Sequence, residues 1–123
     1  MAVHDPDFLR RAAEARSRIT ELSPAEVEAL RDQGAPLLDL RSAADFAAGH
    51  IEGAAQVAFD RLAEEISARV PDRNTPVICY CNAGNRGALA ADALQQLGYR
   101  RATSIAGGLT AYREAQASRS PEP

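Results

Sequence analysis

The run Thr75-Pro76-Val77-Ile78-Cys79-Tyr80-Cys81 constrains the fold most. It is apolar at successive positions, rich in β-branched residues and bounded by Pro and by the polar Asn82–Asn85 segment. A strand that alternates would leave one face to water. A strand that does not alternate must be covered on both faces, and parallel sheets clad with helices do that. An Ala- and Leu-rich stretch, Arg86 to Leu97, follows at once and is stopped by Gly98. Strand, short loop and helix in that order are the unit of a parallel α/β sheet.

Similar alternation runs through the chain. Pro6 to Ile19 carries Phe8, Leu9, Ala12, Ala13, Ala15 and Ile19 at helical spacing. Ser23-Pro24-Ala25-Glu26 predicts a helix start, with Ser23 as cap, Pro24 in the first turn and Glu26 closing a capping box; Gly34 ends that helix. Pro36–Leu40 predicts a buried strand, Ser42–Ala48 a short helix stopped by Gly49, and His50–Val57 a turn and a second short extended piece. Asp60–Val70 predicts a helix ended by Pro71. Ala102–Ala106 predicts a last strand, and Gly107-Gly108 opens a final helix to about Gln116. The expectation is an α/β fold: one parallel sheet of four to five strands with helices on both faces, plus an extra N-terminal helix. Residues 1–22 are taken as that extension, 23–117 as the domain and 118–123 as a frayed tail. Whether the extension packs on its own domain or against a second copy is left open.

Composition removes several function classes. All fourteen basic residues are Arg, so Schiff-base and P-loop lysine chemistry are excluded. The formal charge of −3 speaks against a general nucleic-acid binder, and the 5% aromatic content against a base-stacking surface. No stretch approaches the ~20 apolar residues of a membrane span. Met1–Arg18 has no apolar signal-peptide core. Two cysteines two residues apart make no disulfide framework. A reduced, cytoplasmic setting is the expectation.

The chemistry gathers at Cys81. The strand delivers it to the carboxyl end of the sheet, where α/β proteins place ligands. The following helix start offers unpaired N–H groups and a partial positive charge, which favour an anionic sulfur. Gly84 lets the loop turn its N–H groups inward, and Arg86 adds a fixed charge suited to oxyanions. Asn82, Ala83, Gly84, Asn85, Arg86 and Gly87 are therefore the candidate anion-binding loop around a Cys81 nucleophile.

Three motifs make this specific. Leu38-Asp39-Leu40-Arg41 is followed by Asp45-Phe46-Ala47-Ala48-Gly49-His50-Ile51-Glu52-Gly53-Ala54; then comes Cys81-Asn82-Ala83-Gly84-Asn85-Arg86; then Leu97-Gly98-Tyr99 with Ile105-Ala106-Gly107-Gly108-Leu109-Thr110-Ala111-Tyr112. Together they resemble the single-domain rhodanese family of sulfurtransferases, from about Ser23 to Ala115. Departures are Asp45 for the more usual Glu, Gln56 for Asn, Gly87 for a small hydroxyl residue or Ala, and Tyr112 for Trp. The resemblance implies ping-pong sulfur transfer: Cys81 takes a sulfane sulfur from a small anionic donor such as thiosulfate and passes it to cyanide or a thiol. A sulfur-acceptor protein is a further partner in view. No metal or organic cofactor is implied. The loop holds four residues between Cys81 and Arg86, one fewer than the related phosphatases and arsenate reductases, which disfavours a tetrahedral phosphate.

Other residues carry plainer expectations. Cys79 is a buried core thiol, with a resolving thiol as its alternative. Asp39, Arg41 and Asp45 form a supporting ion-pair and capping set, with Arg41 nearest the site mouth. His50 is a hydrogen-bonded turn residue rather than a metal ligand, His4 lies in the mobile start, and Arg100-Arg101 is a solvated turn rather than a docking patch. A non-turnover interaction or thiol-redox module on the same scaffold is the alternative function.

Overall fold

The computed structural model describes residues 5–119, and its core is the sheet that the two-sided apolar strands require. In chain order the elements are α1 (Pro6–Arg18), β1 (Thr20–Leu22), α2 (Pro24–Asp32), β2 (Leu37–Asp39), α3 (Ala43–Ala48), β3 (Ala55–Gln56), a 3-10 turn (Phe59–Arg61), α4 (Leu62–Arg69), β4 (Val77–Tyr80), α5 (Asn85–Gln96), β5 (Ala102–Ile105) and α6 (Gly108–Arg119). The strand order is β1-β5-β4-β2-β3, and all four pairings are parallel.

Local chemistry sets the element ends. Ser23 accepts from the Glu26 N–H while the Glu26 carboxylate accepts from the Ser23 N–H, and Pro24 occupies the first turn. Both N–H groups are thereby satisfied at the start of α2. Ser42 caps α3 in the same way through the Asp45 N–H. The helix expected from Asp60 begins as the 3-10 turn and becomes α-helical at Leu62. β1 had no counterpart among the sequence expectations; it exists by pairing Thr20–Leu22 with Thr103–Ile105. α6 runs on through Ser118 to Arg119, so the first two residues of the expected tail are helical; the rest of that tail, and His4, lie outside the described residues.

All four residues of β4 are buried, and they alternate between two cores. Val77 and Cys79 pack with Leu38, Leu40, Leu62, Ile66, Ala90, Ala91 and Leu94 on the α4–α5 face. Ile78 and Tyr80 pack with Leu22, Val27, Leu37, Ile105, Leu109 and Tyr112 on the α2–α6 face. Burying apolar surface at roughly 25 cal/mol per Å² on both faces is what holds such a sheet together.

The order of the strands places the site. From β2 the chain moves outward to β3; from β4 it moves outward the other way to β5. The switch therefore falls between β2 and β4, and α/β sheets open a crevice at the carboxyl ends of the strands there. Arg41 lies just beyond β2 and Cys81 just beyond β4, one on each side. The N-terminal extension packs on its own chain. α1 lies against α5, burying Phe8, Ala12 and Ala15, and the Arg18 guanidinium forks onto the Asp92 carboxylate at 3.0 and 2.8 Å.

Ala12 is fully buried on α1, whereas Ala13 beside it is exposed. Ala12→Leu is expected to lower unfolding stability by about 1–3 kcal/mol through overpacking, and Ala13→Leu to change it by less than about 0.5 kcal/mol. Urea denaturation reads both. Equal effects would mean that α1 is not docked as described.

Candidate active site

Cys81 follows the last residue of β4, and its sulfur lies at the start of α5. Two backbone N–H groups donate to Sγ: Gly84 at 3.2 Å and Gly87 at 3.4 Å. Both N–H groups point at the same sulfur, so any lone pair it presents there meets two backbone donors. The loop can aim them because Gly84, the N-cap residue of α5, is left-handed at φ +109°. A side chain there would be strained. Gly87 serves differently. A β-carbon on it would lie 3.1 Å from the Tyr80 Cα and 3.4 Å from the Cys79 carbonyl oxygen. Its missing side chain lets α5 approach β4 closely enough for its N–H to reach the sulfur.

A third glycine locks the loop from behind. At the start of α6, the Leu109 N–H donates to the Cys81 carbonyl at 2.8 Å and the Thr110 N–H to the Asn82 carbonyl at 3.2 Å. Gly108, at φ +64°, sits so close that a β-carbon would lie 2.6 Å from the Cys81 oxygen and 2.5 Å from the Asn82 oxygen. The closing Gly-Gly pair is thus part of the site's frame, a role the sequence reading did not assign. Its signal was there in the doubled glycine ahead of a helix.

Asp39 and Arg41 form the other wall. Both are buried, and the guanidinium forks onto the carboxylate with Nε–Oδ1 at 3.0 Å and Nη2–Oδ2 at 2.8 Å. Burial would raise the Asp39 pKa, but hydrogen bonds from the Arg41 side chain, the Tyr80 hydroxyl and the Arg41 N–H outweigh it and leave it lowered. The pair is ionised throughout the neutral range. Arg41 also donates to the Gly49 carbonyl at 2.6 Å and to Asn82 Oδ1 at 3.4 Å, tying β2 to the loop. Gln56 Nε2 in turn donates to the Arg41 carbonyl at 2.8 Å. Asp45 is exposed on α3 and makes no contact ion pair among the described residues; it acts on Arg41 only through space, while its N–H takes the Ser42 cap.

A cleft of about 220 Å³ opens over the sulfur, lined by Phe8, Arg41, Cys81, Asn82, Ala83, Asn85 and Arg86. Arg41 spends its charge on Asp39. Arg86 is exposed and has no hydrogen bond or ion pair with any described residue, so its charge is free for an anion. Asn85 is held from outside the loop, because its Oδ1 accepts from the Arg16 guanidinium of α1. Neither Phe8 nor Arg16 was singled out from sequence, since only the fold brings α1 to the loop.

The remaining candidates lie elsewhere. Cys79 is fully buried in the α4–α5 core, and burial, aided by Cys81, pushes its thiol up to about 12. Such a thiol is inert near neutrality. Both cysteines are free. His50 stacks on Phe46 at 3.6 Å and meets its carbonyl through Nδ1 at 2.8 Å. Arg100 and Arg101 sit at the amino end of β5, the opposite edge of a parallel sheet from Cys81. Among the described residues no cluster of His, Cys, Asp or Glu could hold a metal, and no helix is long and apolar enough to cross a membrane.

Comparison with known proteins fits this frame. A family model described as "Rhodanese-like domain" matches residues 23–115. Thiosulfate sulfurtransferase GlpE of Pseudomonas fluorescens is 37% identical over 97 residues, spanning 79% of this chain and 87% of that protein. The human single-domain sulfurtransferase TSTD1 has a similar structure, with a TM-score of 0.68 and 29% identity over 81% of this chain and 97% of that one. A Rhodopseudomonas palustris protein of unknown function, described as a possible tyrosine phosphatase, aligns with a TM-score of 0.77 and 26% identity, covering 94% of this chain and 95% of its own.

Gly108→Ala is expected to destabilise the protein by about 1–3 kcal/mol, through a left-handed φ and a backbone clash. It should also lower the alkylation rate of Cys81 by displacing the loop that cradles it. Thermal melts and timed iodoacetamide labelling with peptide mapping read these effects. A variant with wild-type stability and labelling rate would contradict the described contact.

Proposed function

The chain belongs to the rhodanese-like family, and from that premise we propose that it is a sulfurtransferase working through a persulfide on Cys81. The observation that carries the proposal is the pair of N–H groups, from Gly84 and Gly87, converging on Cys81 Sγ beneath a cleft with an unpaired arginine. The curated relative from Pseudomonas fluorescens bears the name of this activity.

In the first half-reaction the Cys81 thiolate attacks the outer sulfur of thiosulfate. A new S–S bond forms at Cys81, the donor's S–S bond breaks, and the electron pair leaves with sulfite. Charge is conserved, with a thiolate and a dianion giving a persulfide anion and a dianion. Arg86 holds the incoming anion at the mouth, and Arg41 and Asn82 shape the wall opposite. In the second half-reaction cyanide or a thiolate takes the outer sulfur and Cys81 is restored. Splitting the transfer this way replaces one hard step with two easier ones. The same N–H groups face an anionic sulfur before and after each step, so the cradle needs no rearrangement. The cleft, at about 220 Å³, is smaller than the roughly 300 Å³ at which drug-sized ligands begin, and suits a donor of few atoms.

Phosphate-ester hydrolysis is the competing chemistry on a Cys–Arg loop. The four residues between Cys81 and Arg86 favour a single sulfur over a tetrahedral group astride it. A thiol-redox role through Cys79 is disfavoured by that thiol's complete burial.

Thiocyanate formation from thiosulfate and cyanide tests the proposal. Wild type is expected to turn over, Cys81→Ser to lose activity by at least about a thousandfold, and Cys79→Ser to stay within about threefold of wild type. An aryl phosphate should be hydrolysed no faster than by Cys81→Ser. Equal thiocyanate formation by wild type and Cys81→Ser would defeat the proposal.

A further inference from the structure

The family match begins at residue 23, so α1 lies wholly outside it, yet α1 supplies one wall of the cleft over Cys81. Phe8 is the residue concerned. It sits in the first turn of α1, is only 9% exposed and lines the cleft with Ala83 and Arg86, the latter supplying the charge. α1 is fixed in place at two points. Arg18 forks onto Asp92 of α5, and Arg16 bonds Asn85 of the loop while its Nε reaches Glu21 at 3.3 Å. Ala12 and Ala15, both fully buried, let the helix lie close on α5. These contacts dock α1 on α5, and the burial of Phe8 itself keeps its ring in the wall.

An inorganic dianion has nothing to place against such a ring. The cleft pairs a cationic side with an apolar side, and the complementary ligand carries an anionic sulfur head and a small apolar substituent. We propose that Phe8 is a specificity-determining residue that receives the organic substituent of a thiosulfonate donor, R–SO₂–S⁻. The proposal rests on sulfur transfer through Cys81. The step balances: Cys81 thiolate attacks the outer sulfur, the S–S bond of the donor breaks, and its electron pair leaves with the sulfinate R–SO₂⁻. One anion pair gives another. The substituent points away from the attacked sulfur, where the Phe8 wall would hold it while Arg86 meets the sulfonyl oxygens.

The test compares two donors, benzenethiosulfonate and methanethiosulfonate, with cyanide as acceptor. The measured quantity is the ratio of their kcat/KM values, in which any loosening of the loop common to both donors cancels. This ratio is expected to fall about tenfold in Phe8→Ala, carried by KM, and by no more than about threefold in Phe8→Leu, which keeps an apolar wall. An unchanged ratio in Phe8→Ala, with turnover retained, overturns the proposal. Should that variant not fold, product inhibition of the wild type decides: benzenesulfinate is expected to inhibit at several-fold lower concentration than methanesulfinate, and equal inhibition overturns the proposal. Absence of thiocyanate from every donor in the wild type would instead overturn the sulfur-transfer proposal, and Phe8 selectivity with it.

Discussion

The convergence of the Gly84 and Gly87 N–H groups on Cys81 Sγ is the interaction on which the rest of this structure depends. It makes two demands that glycine meets most easily. The backbone at Gly84 must be left-handed, and α5 must come so close to β4 that a β-carbon on Gly87 would press on Tyr80 at 3.1 Å. Each condition costs stability in isolation, because glycine near a helix start is entropically unfavourable relative to alanine. The fold offsets these costs with a sheet buried on both faces, in which β4 is the most enclosed strand.

Around that cradle the structure is arranged in supports that act on different sides. Gly108 and the first N–H groups of α6 hold the carbonyls of Cys81 and Asn82 from below. Arg41, neutralised by Asp39, reaches Asn82 from the β2 side. Arg16 of α1 reaches Asn85 from the α5 side. A buried ion pair is weak evidence for stability on its own, since desolvation takes back much of the Coulomb gain. Here its use is geometric: it fixes a guanidinium that bonds to two carbonyl or amide oxygens on separate segments, at Gly49 and at Asn82. With Arg41 buried and paired to Asp39, Arg86 is left as the cation that an incoming anion meets.

Much of this was legible in the sequence, and what was not has a physical reason. β4 could be read because its apolar run has no alternation, and α2 because Ser23, Pro24 and Glu26 each satisfy a different demand of a helix start. The Cys81–Arg86 loop could be read because strand, glycine and helix fix where backbone donors point. β1 could not, since Thr20-Glu21-Leu22 has no strand pattern of its own and is defined by pairing with β5, more than eighty residues later. Asp45 was grouped with Asp39 and Arg41 by nearness in sequence, but α3 turns it outward. Phe8 belongs to a stripe with helical spacing but weak apolar contrast; that the stripe ends in the cleft depends on how α1 crosses α5, which no local pattern encodes.

The most direct measurement is the intact mass of the protein after exposure to thiosulfate and removal of the excess donor. A single sulfur atom should be gained, located at Cys81 by peptide mapping and removed by cyanide. No gain in mass, a gain located at Cys79, or the loss of two protons through a Cys79–Cys81 bond would contradict the account of a lone sulfur held by backbone N–H groups.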